Sequence, residues 1–223
     1  MKIRSFSDNE IPSFTELLVA IPNFLPEESF TALKKEIESV AKVSRGHVPM
    51  YRKGGAISYE TLRAHVPSAL ELYHSPDHQH LISTIVGTKV VPTPEDHPNS
   101  LSVLVYDQPG DHIAWHHDKN YYRGRYFTVL LAIENRGHGE DGLSSLQLLV
   151  KKPTGDVIIP TPPNTLILFE GSKVLHRTTQ LKEGERRVLL SKTYSTDPRY
   201  SFTKNILRRI KDASFFGLDS LWK

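Results

Sequence analysis

Leu101-Ser-Val-Leu-Val-Tyr106, Asp107-Gln-Pro-Gly110 and Ala114-Trp-His-His-Asp118 stand in close succession: an apolar run, a turn and a His-x-Asp pair. A short β-rich run bounded by Pro-Gly reads as a strand whose chain then reverses. On an extended chain alternate side chains share a face, so His116 and Asp118 point to one side and His117 to the other. Downstream, a lone His176 follows Leu168-Phe-Glu-Gly171. Gly184-Glu-Arg-Arg-Val-Leu-Leu190 then gives a second turn and an apolar strand led by two arginines. Two imidazoles and one carboxylate can cap one face of an octahedral Fe(II) ion and leave three positions open.

Taken singly, the His-x-Asp pair carries little weight, since chance supplies about 0.5 such matches in a chain with 11 histidines. The ordered set carries much more. His176 lies 58 residues after Asp118, and Arg187 lies 11 residues after His176. In this order the chain resembles the iron(II)- and 2-oxoglutarate-dependent dioxygenases, whose double-stranded β-helix bears His-x-Asp, a distal His and then a basic residue. The resemblance implies Fe(II), 2-oxoglutarate and O2 as cofactor and cosubstrates, with His116, Asp118 and His176 as metal ligands. An arginine after Gly184 would fork onto the distal carboxylate of 2-oxoglutarate. Because Asp118 is present, where the family's halogenases lack the carboxylate, hydroxylation or a related desaturation or cyclisation is implied. Gly142-Leu-Ser-Ser-Leu-Gln147 and Gln180-Leu181 depart from the family's frequent Gly-Gly-x-Leu and Pro-Val, which leaves the subfamily open.

The expected fold class is α+β: a double-stranded β-helix (a jelly-roll, cupin-like barrel) with N-terminal supporting helices and a C-terminal helix. One oxygenase domain spanning 1–223 is expected, helical over about 1–95 and with its β-helix core over about 101–195. Acids at Glu27 and Glu28 open a helix whose Phe30, Leu33, Ile37 and Val40 recur at helical spacing. Shorter helices are expected over 58–72, interrupted by Pro67, and over 80–86. Strands are expected over 101–106, 126–134, 145–151, 156–160, 165–169 and 187–195, and a last helix over 203–213.

Composition narrows the chemistry. With no cysteine, disulfides and thiolate metal sites are excluded, and a metal must be held by nitrogen and oxygen. No stretch has signal-peptide or membrane-span character, which gives a cytoplasmic expectation. A net charge of +3 permits an anionic partner without demanding one.

Neighbouring residues divide by face. Arg187 would share its side with Leu189, Ser191 and Thr193, whereas Arg186 would share its side with Lys192, a harder set to satisfy inside a barrel. Arg187 is therefore the preferred cosubstrate anchor. Tyr106 reads either as a hydroxyl for the cosubstrate or as an aromatic filler, with Thr128 a weaker candidate for that hydroxyl. His112, four residues before His116, reads equally as a pocket-mouth residue or not. His74, His78 and His80 form a weaker rival metal cluster, because Pro76 and Asp77 suggest a loop. For the substrate, Tyr121, Tyr122, Arg123 and Arg125 mix aromatic hydroxyls with cations just after the iron motif, which suits a small polar metabolite such as an amino acid or derivative. Oxygenation of a protein side chain or an alkylated nucleic acid is the alternative, and an inactive β-barrel binding module is the reading from another class. Oligomeric state is not legible.

Overall fold

The computed structural model describes residues 1–97 and 99–201. In chain order the elements are β1 (Leu18–Ile21), α1 (Glu27–Glu38), β2 (Ser44–Val48), β3 (Arg52–Ile57), α2 (Tyr59–His65), α3 (Pro67–His74), α4 (Pro76–Val86) and β4 (Val91–Pro92). There follow β5 (Leu101–Tyr106), β6 (His112–His116), β7 (Tyr126–Arg136), β8 (Leu148–Lys152), β9 (Gly155–Ile159), β10 (Leu166–Phe169), β11 (His176–Thr178) and β12 (Arg186–Ser195).

The strands run β1-β10-β7-β12-β5-β3-β6-β11-β8-β9, all pairs antiparallel. The larger half, β1 to β5, and the smaller, β6 to β9, are joined by β3, giving the jelly-roll barrel. Period-two alternation separates a dry face from a hollow one. On β5 and β12, Val103, Val105, Val188, Leu190 and Tyr194 pack with Leu33 of α1, Leu62 of α2, Leu72 of α3 and Ile82 of α4 in one core cluster. Their neighbours Ser102, Leu104, Tyr106, Arg187, Leu189, Ser191 and Thr193 face the cavity inside the barrel. Each fully buried leucine removes enough apolar surface to contribute about 2 kcal/mol, so the helices hold the larger sheet flat against themselves and leave its other face to the site.

Local chemistry explains the helix boundaries. Glu27 and Glu28 fill the first turn of α1, and Phe30, Leu33 and Ile37 form its buried stripe. Pro67 and Pro76 each stand at the first helical position, where a missing N–H costs nothing, so they start α3 and α4. Ser75 caps α4 by accepting from the His78 N–H, and Gly87 ends it in the left-handed conformation at φ 71°.

Several expectations are corrected. The first 95 residues are not only helical: β1 extends the larger sheet, and β3 bridges the two halves. In β3, Arg52-Lys-Gly-Gly-Ala-Ile57 has poor strand propensity, yet a Cβ at Gly55 would come 2.6 Å from Val43 Cγ1 and 3.3 Å from Val105 Cβ. Pro76 and Asp77 open a helix and not a loop. His78 is fully buried with Nδ1 3.1 Å from the Leu72 carbonyl, whereas His80 is exposed, so the rival histidine cluster does not assemble. Lys192 is buried on the helix side, its ammonium 5.9 Å from the Phe24 ring centre and without a hydrogen bond among the described residues. The helix expected over 203–213 lies outside the described residues. Among these, no helix is long and apolar enough to cross a membrane.

Leu33 ties α1 to the sheet, so Leu33→Ala should destabilise the protein by about 2–5 kcal/mol, read as a lower urea midpoint at unchanged slope.

Candidate metal centre and the cavity around it

β6 and β11 pair with His176 opposite His116 and Thr178 opposite Ile113. Two steps along β11 therefore match three along β6, which is a bulge with one extra residue in β6. The extra residue resets the alternation, so Ile113 and His116 both face the cavity. Its consequence for His112 is a correction: that ring lies off the cavity lining, with Nδ1 2.8 Å from the Gly110 carbonyl. The Thr178 hydroxyl accepts from the Ile113 N–H at 2.8 Å and fixes the offset.

Each histidine is aimed by its own backbone. His116 Nδ1 is 2.8 Å from the Ala114 carbonyl, and His176 Nδ1 is 3.0 Å from the Val174 carbonyl. An Nδ1–H donating to a carbonyl leaves Nε2 with its lone pair, which is the state a metal needs. Both Nε2 atoms turn to Asp118 Oδ1, at 3.5 Å from His116 and 4.0 Å from His176. The ligand atoms lie within 4.8 Å of one another, and among the described residues this is the one such His/Asp/Glu group. Burial lowers the His176 pKa and keeps the ring neutral. Burial raises that of Asp118, but the adjacent His116 and His176 rings and the hydroxyl of Thr128 outweigh it, so Asp118 stays ionised.

The second carboxylate oxygen is held elsewhere. Thr128 donates its hydroxyl to Asp118 Oδ2 at 2.5 Å, and the Asp118 N–H donates to the Gly171 carbonyl at 2.9 Å. Thr128 thus braces the carboxylate instead of offering a free hydroxyl to a cosubstrate. A side chain at Gly171 would not fit, because a Cβ there would stand 2.6 Å from Thr128 Oγ1 and 2.8 Å from Asp118 Oδ2. His117 points away and is exposed.

At the other end of β12 the two arginines part. Arg186 is half-buried outside, its Nε donating to Glu134 at 2.9 Å. Arg187 is 0% exposed on the cavity wall and donates Nη1 to the Leu146 carbonyl at 2.7 Å, while its Nε and Nη2 have no partner among the described residues. Burial lowers its pKa to about 10, which leaves it charged at neutral pH. Tyr106 sits opposite Arg187 across β5 and β12, also buried; burial raises its pKa against the pull of Arg52 and Arg187.

The residues expected to meet substrate do not reach the cavity. Tyr121 and Tyr122 are buried against His97, at ring distances of 5.3 and 6.1 Å, and Tyr122 also stacks on Tyr126. Arg123 is exposed, and Arg125 is taken by Glu170 at 2.7 Å while lying over Phe127. Tyr51, Asn99, Ser102, Lys119 and Tyr126 line the cavity instead. Ser102 was legible from the alternation of β5. Tyr51 carried no signal, because it depends on the hairpin that places β3 beside β6.

The donor set fits iron and 2-oxoglutarate. Three nitrogen and oxygen ligand atoms lie within 4.8 Å of one another, a set that suits a facial cap with open positions. Two unpartnered guanidinium nitrogens of a fully buried arginine line the same cavity, and an uncompensated buried cation calls for an anion.

A family model described as Phytanoyl-CoA dioxygenase (PhyH) matches residues 18–137, a span that contains His116 and Asp118. Among curated proteins, none matches the chain in sequence. Solved structures share the fold. A 2OG-Fe(II) oxygenase family oxidoreductase from Burkholderia pseudomallei has a TM-score of 0.64 at 11% identity, over 85% of this chain and 90% of its own. SnoK, a non-heme alpha ketoglutarate dependent carbocyclase from nogalamycin biosynthesis, gives 0.64 at 13% identity over 92% and 90%. A prolyl hydroxylase from Trichoplax adhaerens, solved with a hypoxia inducible factor peptide fragment, gives 0.61 at 15% over 86% and 87%. At such identities the likeness is one of fold; the family model, matching more than half of the chain, places it in the PhyH family and so among the Fe(II)/2-oxoglutarate-dependent oxygenases.

Proposed function

We propose that the protein hydroxylates a C–H bond of a small polar metabolite, using Fe(II), 2-oxoglutarate and O2, and that residues 1–223 work as one domain. The observation that carries this is the convergence of His116 Nε2, His176 Nε2 and Asp118 Oδ1 in the same cavity as the unpartnered Arg187 guanidinium. In this reading the two histidines and Asp118 hold the metal, with Thr128 fixing the carboxylate. Arg187 pairs with the distal carboxylate of 2-oxoglutarate, and Tyr106 lies beside it. When bound, iron and 2-oxoglutarate supply the oxidant: O2 is reduced as 2-oxoglutarate loses CO2 to give succinate, and one oxygen atom goes to the substrate.

The chain's own part is orientation and exclusion of water. Phe169 stands edge-on to His176 at 4.8 Å and Tyr51 edge-on to His116 at 5.9 Å, so apolar ring edges flank both imidazoles. A narrow cavity, about 90 Å3, supports a small substrate. The amino-acid version of this proposal loses its support, because Arg123 and Arg125 face elsewhere.

Removal of one ligand should weaken metal binding by more than about a hundredfold, so His176→Ala titrated calorimetrically with Fe(II) under anaerobic conditions should show it. Unchanged affinity would refute the assignment. Arg187→Ala should raise the Kd of 2-oxoglutarate about a hundredfold, against less than about threefold for Arg186→Ala, whose partner Glu134 is part of the outer surface. Gly171→Ala should push Asp118 and Thr128 apart and lower metal affinity at least about tenfold, with far-ultraviolet circular dichroism unchanged. Succinate formation dependent on iron, screened over a metabolite library, tests the activity as a whole.

A further inference from the structure

The cavity changes character along β12. At one end stands Arg187; four residues on, or about 13 Å along an extended strand, stands Ser191, directly opposite Ser102 of β5. Both serines line the cavity, and neither hydroxyl has a hydrogen bond within the described protein, although Ser102 is only 3% exposed. Asn99 lines the same cavity, its side-chain amide also without a hydrogen bond among the described residues. The Tyr126 hydroxyl is near that of Thr193, which is itself 2.6 Å from Thr93 Oγ1.

These groups are neutral, and each hydroxyl or amide both donates and accepts. A substrate ammonium would need a free carboxylate here. Among the described lining residues Asp118 is the one carboxylate, and it is committed to the histidines and Thr128. A substrate carboxylate or phosphate would need a fixed cation. Besides Arg187 the described lining residues offer as a fixed cation only Lys119, which is exposed. Leaving a charge buried without a partner is costly, so this half of the cavity selects against charged groups and favours hydroxyls. Tyr51 and Tyr126 also line the cavity, and aromatic rings supply apolar surface that can pack against the C–H groups of a saturated ring.

We infer that this half of the cavity takes an uncharged, hydroxyl-rich small molecule, a sugar, glycoside or cyclic polyol, hydrogen-bonded by Ser102, Ser191 and Asn99. The inference rests on the oxygenase reading above and names the substrate class for that same site. It replaces the amino-acid expectation, whose cations lie outside the cavity.

The test uses the full chain and a fixed panel: methyl glucoside, sucrose and myo-inositol as neutral probes, and lysine, glutamate and glucose 6-phosphate as charged ones. Binding is read by ligand-observed NMR with Mn(II) and 2-oxoglutarate, where paramagnetic broadening reports closeness to the metal. Turnover is read as 2-oxoglutarate consumption with Fe(II) and O2 above the substrate-free rate. At least one neutral probe should bind and raise consumption more than about fivefold, and the charged probes should do neither. Ser102→Ala and Ser191→Ala should each weaken binding of that probe about five- to tenfold, the loss expected for one neutral hydrogen bond, while Ser191→Thr should keep it. If 2-oxoglutarate is consumed but no neutral probe binds, or a charged probe is preferred, the substrate class is wrong and the oxygenase reading stands. If 2-oxoglutarate is neither bound nor consumed, the oxygenase reading fails and this inference with it.

Discussion

The offset pairing of β6 with β11 is the constraint on which the site depends. Metal ligands separated by 60 residues become neighbours because His176 lies opposite His116, and the bulge turns His116 inward. A three-residue strand such as β11 has too few ladder bonds to hold itself in place. Its register is set by β6 on one side and β8 on the other, and by the Thr178 hydroxyl on the Ile113 N–H. The imidazoles are then oriented by carbonyls two residues away on their own strands, so the aim of each ring follows from local backbone geometry once the strands are paired.

The second requirement is a sheet with two incompatible faces. Helices α1 to α4 seal the outer face of β5, β7 and β12 with apolar side chains, and that seal frees the inner face to carry polar groups at a cost in desolvation. Arg187 is the clearest case. Its guanidinium is wholly buried and only partly satisfied, an arrangement that opposes folding unless an anion offsets it. A buried arginine at one end of a cavity and neutral hydroxyls at its other end divide one space into two chemical environments, and His116 and His176 reach it from the smaller sheet.

Much of this was legible in the chain. The strands β5, β7, β8, β9, β10 and β12 announced themselves through β-branched and apolar runs between turns, and their observed bounds fall within three residues of expectation. The choice of Arg187 over Arg186 followed from alternation alone, and Leu189, Ser191 and Thr193 do share its face. What failed was equally physical. β3 was hidden because its glycines lower strand propensity while serving close packing against Val43 and Val105. Nearness in sequence to Asp118 misled for Tyr121, Tyr122, Arg123 and Arg125, since the chain leaves the strand there and turns its side chains toward His97, Glu170 and solvent.

The sequence by itself determined the kind of site: two histidines and a carboxylate in a fixed order, no thiols, and a basic pair at a strand start, all properties of residue type and spacing. Tertiary structure decided which of those residues meet and what surrounds them. The β6 bulge excluded His112, because one extra residue inverts the facing of everything before it. Ion pairing with Glu170 removed Arg125 from contention, and the Asp118 carboxylate claimed Thr128. These outcomes depend on contacts between residues far apart in the chain, and spacing along one strand carries no information about the register of its partner.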